Sequence, residues 1–168
     1  MKKIIIALVV FMMMAAPVLA ETKIGYVDLQ KAISLSKAGV KARAEIAEQF
    51  KKYQEEFNAK REALEKTKVE LEKQAVLLSD SAKAQKERSF QQDIKDLQRF
   101  EKDAKEELQQ KDSDQTQLVL RGMLEVLEKL GADGGYQLIL EKTQSGIFYA
   151  DQSIDLTDEL IKAFDAAN

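Results

Sequence analysis

The chain has 168 residues, 26 of them basic and 29 acidic, with one proline and no cysteine or histidine. The missing His and Cys exclude disulfides, cysteine nucleophiles, Ser-His-Asp triads and ordinary zinc sites. The net charge of −3 argues against nucleic acid as a partner, because such binders carry a basic footprint.

Lys2 and Lys3 lead into an apolar run from Ile4 to Ala16, and Pro17-Val18-Leu19-Ala20 follows. A charged start, a short apolar core and small residues at the −3 and −1 positions (Val18 and Ala20) read as a secretory signal peptide over residues 1–20, cleaved after Ala20. The run falls short of the roughly 20 residues that span a bilayer. Residues 21–168 then form the mature chain, a single domain by length. Its 24 basic residues (26 less Lys2 and Lys3) against 29 acids give a net charge of −5. With no lipid-attachment cysteine and no later apolar segment, the expected compartment is the periplasm. Without disulfides, stability has to come from packing or from oligomerisation.

Lys23 to Asp28 alternates and is β-prone, which predicts a short strand. Asp28 is placed to cap about two helical turns over Leu29–Leu35, and Ser36 to cap a longer helix with Gly39 tolerated in its first turn. From Lys37 to about Leu130 the chain has no proline and almost no glycine. Within it Phe50, Phe57, Leu64, Leu71 and Leu78 recur at seven-residue intervals, preceded by four residues by Ile46, Tyr53, Lys60, Thr67 and Gln74. That is the spacing of a coiled-coil seam, half of which turns polar toward Leu78. About 40 residues give an arm of about 60 Å.

Ser79-Asp80-Ser81 predicts the reversal at the tip, with Asp80 or Ser81 capping the return helix. The return places Phe90, Ile94, Leu97, Ala104 and Leu108 on one face, with Phe100 beside it. Gln109 to Gln117 has no apolar side chain yet holds nothing that breaks a helix. Leu118 to Leu130 is apolar around much of its circumference and belongs in a core or an interface. Gly131 is the expected stop, followed by a turn at Gly134 and Gly135. Tyr136–Leu140 and Ile147–Tyr149 predict the two strands of a β-hairpin around a loop at 142–146. Thr157 predicts the cap of a last helix, with Leu156 and Ile161 as a hydrophobic staple.

The expected fold class is α+β, mainly α: a long antiparallel helical-hairpin arm, about 37–117 with its tip at about 79–81, on a small β-sheet body built from 21–36 and 118–168. Three short strands are a small anchor for such an arm, and their open edges call for pairing. Both points predict oligomerisation through the body. No catalytic, cofactor-binding or metal-ligating residue is expected. The glycine cluster 131–135 lacks the Lys-Ser/Thr of a phosphate loop, and carboxylate pairs on so acidic a helix describe a solvated face.

Taken in order, the start Lys23-Ile-Gly-Tyr-Val-Asp28, the arm opening Ser36-Lys-Ala-Gly-Val-Lys-Ala42, Leu97-Gln-Arg-Phe100, and the ending Tyr136-Gln-Leu-Ile-Leu140, Ile147-Phe-Tyr-Ala-Asp151 and Asp155-Leu-Thr157 resemble the Skp (OmpH) family of periplasmic chaperones. The resemblance covers essentially the whole mature chain. It implies a homotrimer whose strands join in a central body. Three hairpins would surround a cavity that holds unfolded outer-membrane β-barrel proteins without ATP. The best-known members are strongly basic. This chain is acidic, so lipopolysaccharide binding is not carried over.

In that frame Ile24, Tyr26, Val27, Leu138, Ile139, Leu140, Ile147 and Tyr149 are the candidate body-sheet and trimer residues. Ile46, Phe50, Tyr53, Phe57, Leu64, Leu71 and Leu78 form the arm seam, and Lys60, Thr67 and Gln74 thin it and lend the arm compliance. Around the tip Lys66, Lys68, Lys73, Lys83, Lys86 and Arg88 face Glu70, Glu72, Asp80 and Glu87, a local net charge of +2. They are candidates for weak contact with an anionic envelope surface, beside the plainer reading of a solvated helix tip. The alternative to a chaperone is an extracytoplasmic coiled-coil spacer or adaptor with a defined folded partner.

Overall fold

Strand β1, Ile24–Val27, leads straight into a capped helix. The Asp28 carboxylate accepts from the Lys31 backbone N–H at 2.8 Å and starts α1, Leu29–Leu35. This computed structural model of the chain describes residues 22–74 and 77–167; the expected signal peptide and its cleavage site lie outside them. Ser36 both closes α1 and opens α2, Lys37–Gln74. Its N–H bonds the Ala32 carbonyl at 3.0 Å, its carbonyl accepts from Val40 at 2.9 Å, and its hydroxyl oxygen accepts from Gly39 N–H at 3.1 Å. Gly39 is required here rather than tolerated: a Cβ at this position would lie 1.7 Å from the Ile33 carbonyl oxygen.

Helix α2 stops at Gln74, short of the expected Leu78, and the Leu77 and Leu78 N–H groups bond back to the Gln74 carbonyl at 2.9 and 3.2 Å. The return helix α3, Asp80–Asp133, is capped by Ser79, one residue before the expected Asp80 or Ser81. The Ser79 side chain accepts from Ala82 N–H, and Asp80 falls in the first turn, where its charge suits the helix N-terminus. With 54 residues against 38 in α2, α3 retraces the whole arm and then enters the body. Gly131 does not stop it. One interior glycine costs only about 1 kcal/mol, and the helix runs on to Asp133, with Gly134 at its cap. Gly135 then turns the chain at φ +67°, a left-handed conformation that glycine adopts without steric cost.

Strand β2, Leu138–Glu141, pairs with β1 in parallel, Ile24 opposite Leu138 and Val27 opposite Glu141. The expected hairpin between Tyr136–Leu140 and Ile147–Tyr149 is therefore corrected: among the described residues the sheet has two strands, and Ile147–Tyr149 is not one of them. On its other edge β1 carries a parallel bridge from Tyr26 to Asp155, with Leu156 N–H on the Tyr26 carbonyl at 2.9 Å. The turn after β2, with Gly146 at φ +64°, leads the chain off the sheet edge. A 3-10 turn, Gln152–Ile154, and helix α4, Thr157–Ala167, complete the body.

Val27, Ala32, Val119, Met123, Leu156, Leu160 and Phe164 form the buried core, which sits where α1, the end of α3 and α4 converge beside the sheet. Thr157 does not serve as the cap of α4. Asp155 takes that part by accepting from the Thr157 N–H at 2.9 Å, and the Thr157 hydroxyl accepts from Asp28 N–H at 2.9 Å. The local motif was spent on a bond across the body.

Partial burial pushes the Asp155 carboxyl upward, but hydrogen bonds from Thr157 and from the Tyr26 hydroxyl outweigh it and hold the group below its usual range. A depressed folded pKa contributes stability that is present above the unfolded value of about 3.9 and lost as the pH falls through the folded one. Asp155→Asn is expected to destabilise the protein by about 1 kcal/mol at pH 7 and to flatten the acid limb of its stability. Urea unfolding from pH 7 down to about pH 2 reads both; a wild-type acid limb in the variant would contradict this role.

Candidate functional site

More than half of the described residues lie in the arm, and the arm has almost no interior. Along α2 and along α3 up to Leu118, Gly39 alone among the described residues is buried; the seam side chains are at best half-buried. Ion pairs at i,i+4 dress the outer faces, among them Glu48 with Lys52 at 2.7 Å and Glu62 with Lys66 at 2.7 Å, the spacing that supports exposed helices.

The seam does not run quite as the heptad count implies. Ile46, Gln49, Tyr53 and Phe57 are half-buried against α3, and Phe50 lies 54 % exposed beside them. Steps of three-four and four-three from Ile46 to Tyr53 are equally helical, so side-chain hydrophobicity alone favoured Phe50 over Gln49. Tyr53 meets Phe100 edge-on with ring centroids 5.9 Å apart. The neighbouring Glu107 carboxylate on α3 pushes the Tyr53 phenol up, with Gln49 pulling it down.

Toward the tip Leu64 and Leu71 stay half-buried and Leu78 lies beyond the helix. The polar positions between them behave differently from one another. Lys60 is exposed, pairs with Glu56 at 3.3 Å and holds its ammonium 5.2 Å from the Phe100 ring centre. The Thr67 hydroxyl donates back to the Ala63 carbonyl at 3.0 Å, and half-buried Gln74 accepts from Lys86 across the hairpin. Of the tip cations, Lys66 is held by Glu62 and Lys86 by Gln74, Lys83 is half-buried, and Lys68, Lys73 and Arg88 are exposed. Leu77 stands 85 % exposed at the turn.

The body presents the opposite contrast. Tyr26 and Val27 are buried in the chain's own core; Ile139, Leu140 and Ile147 are half-buried; and Ile24 and Leu138 are more exposed. Burial first, and then the Asp155 charge, push the Tyr26 phenol up. Phe148 and Tyr149 project fully into solvent, at 104 % and 87 % exposure. Together with Leu118 and Leu124 on α3, they leave apolar surface on the body that this chain does not cover. Among the described residues no group of His, Cys, Asp and Glu is arranged to hold a metal ion, and no helix is long and apolar enough to cross a membrane.

Such a molecule is an α+β protein whose surface is mainly a helical hairpin mounted on a small two-stranded body. Residues 23–164 match the family model described as outer membrane protein (OmpH-like), and the chain belongs to that family. No curated protein matches it. Among solved structures the fold is similar to that of a protein from Caulobacter crescentus described as a candidate outer membrane chaperone (OmpH-like). The TM-score is 0.82 at 17% identity, over 89% of this chain and 87% of the other.

Proposed function

We propose that this protein is a periplasmic, ATP-independent holdase chaperone. It binds unfolded outer-membrane β-barrel proteins between helical arms and keeps them from aggregating on the way to the outer membrane. The working form is a homotrimer joined through the bodies, with three arms around a cavity, and the chain is secreted by a signal peptide cleaved after Ala20. Family membership supports a chaperone role. The observation that carries the reading is the imbalance between arm and body: along α2, and along α3 as far as Leu118, Gly39 alone among the described residues is buried, and the core-forming Val119 and Met123 lie beyond the arm. An arm of this length that builds so little of the core offers its surface to something else.

The test is dilution of a urea-unfolded outer-membrane barrel into buffer with and without the mature protein, with the mass of any complex measured by light scattering. Suppression of turbidity at about one trimer per client supports the reading. A protein that ignores unfolded chains and binds one folded partner would be a spacer or adaptor instead.

The polar seam positions are proposed to let the arms splay around clients of different size. Lys60→Leu, Thr67→Leu and Gln74→Leu together are expected to stabilise the distal hairpin by about 1–2 kcal/mol, slowing amide exchange there roughly tenfold. Unchanged exchange between about residues 60 and 97 would remove the argument for built-in compliance.

A further inference from the structure

The middle of the arm carries an apolar groove that runs along the seam of the hairpin and opens to solvent beside it. Phe50, Tyr53 and Phe57 on α2 and Phe100, Ala104 and Leu108 on α3 line it. Four of the chain's eleven aromatic residues (seven Phe and four Tyr) meet there. Phe50 is the telling member. It lies off the seam at 54 % exposure, so its ring adds little to holding α2 on α3, yet it walls the groove. The two charged residues on the groove rim, Glu101 and Lys105, are opposite in sign and one helical turn apart, and the charges beyond it are paired: Lys51 with Glu55, Lys52 with Glu48, Lys60 with Glu56 and Lys102 with Glu106. A surface whose flanking charges balance offers a ligand little net field, so recognition there is apolar.

Two features decide the occupant. Nine residues line the groove, against about 20–30 on each side of a stable protein–protein interface, so by itself it matches a short segment rather than a second copy of this chain. Its length also fits an extended strand. Phe50 to Phe57 spans about 10 Å along the helix, enough for two side chains that lie about 7 Å apart at alternate positions of an extended chain. Barrel strands place apolar side chains at alternate positions over about 10 residues. We infer that this groove is a docking site for short extended segments of an unfolded β-barrel chain, taking two alternate apolar side chains at a time. The inference rests on the holdase reading and gives it a specific face of the arm.

The experiment uses the full mature protein and two labelled ten-residue peptides of one composition. One alternates Phe or Leu with Ser or Asn; the other groups its apolar residues in one block. Fluorescence anisotropy is expected to show the alternating peptide binding about fivefold tighter, and Phe50→Ser to erase that difference. Circular dichroism and mass should stay as in the wild type. Equal binding of the two peptides, or a preference that survives Phe50→Ser, overturns the inference; a fall in oligomer mass in Phe50→Ser would show the groove seating another copy and overturns it too. Should Phe50→Ser misfold, a photo-crosslinker in place of Gln54, on the groove rim, must capture the alternating peptide in the otherwise unaltered protein, and failure to do so is equally decisive. Barrel protection with no peptide preference sinks the groove and leaves the holdase standing. Peptide preference without barrel protection does the reverse.

Discussion

Replacing Gly39 by alanine is expected to lower the melting temperature by roughly 10 °C. The added Cβ would lie 1.7 Å from the Ile33 carbonyl oxygen, 2.9 Å from its carbon and 3.1 Å from the Ser36 hydroxyl. Two of those atoms are backbone and cannot rotate away. The same carbonyl accepts the Ser36 hydroxyl at 3.1 Å, and Ser36 is fully buried. Relief therefore requires α1 to move off α2, taking Ala32 out of the core. Overpacking typically costs 1–3 kcal/mol, and a clash against backbone belongs at or above the top of that range, about 3 kcal/mol. For a chain of this size that corresponds to roughly 10 °C. Gly122→Ala is the comparison, with a smaller loss expected, because its Cβ would meet the edge of the Phe164 ring, 2.9 Å from Cε2, a side chain that can shift where a backbone carbonyl cannot. Thermal unfolding followed by circular dichroism separates them; a Gly39→Ala melting point within about 2 °C of wild type would show that the elbow is soft.

The second large effect concerns assembly. On the proposed trimer, Phe148→Ser with Tyr149→Ser is expected to reduce the mass in solution threefold and to abolish the proposed protection of unfolded barrels. Neither ring contributes to the fold of a single chain, since both are exposed, so helix content should not change. Aromatic anchors desolvated at the centre of an interface commonly carry 2 kcal/mol or more each. Light scattering over a range of concentrations gives the answer. A double variant that keeps the wild-type mass would mean that another surface, such as the one around Leu118 and Leu124, holds the subunits together.

What the sequence disclosed was the chemistry that acts over one helical turn. Asp28 and Ser36 could be read as caps because a cap needs only its own side chain and the next three residues. The arm was legible for a related reason: seven-residue recurrence over some forty positions leaves few alternatives. Decisions that depend on a distant partner were not legible. Ile147–Tyr149 has strand-forming residues, but the turn before it, with Gly146 at φ +64°, carries it away from the edge of β2 rather than along it. Thr157 carries the signature of a cap, yet its hydroxyl is bonded to the backbone of Asp28. Gly39 looked like a minor blemish in a helix because nothing local announces the approach of the Ile33 carbonyl. The exposure of Phe50 turned on a choice between two equal helical steps, decided by how α3 lies against α2.

The parallel pairing of Ile24 with Leu138 also fixes a schedule for the newly made chain. The first strand stands 114 residues ahead of its partner in the chain, so the sheet cannot close until almost the whole chain is present. Closing so long a connection as a random coil is slow and entropically costly. The arm changes that. Once α2 zips onto α3 from the tip, contacts local to the turn carry the two ends back to the same place, and the effective loop shrinks to a few residues at the root. The hairpin is then a jig for the body, and slow closure of the arm would delay the core around Met123 and Leu160.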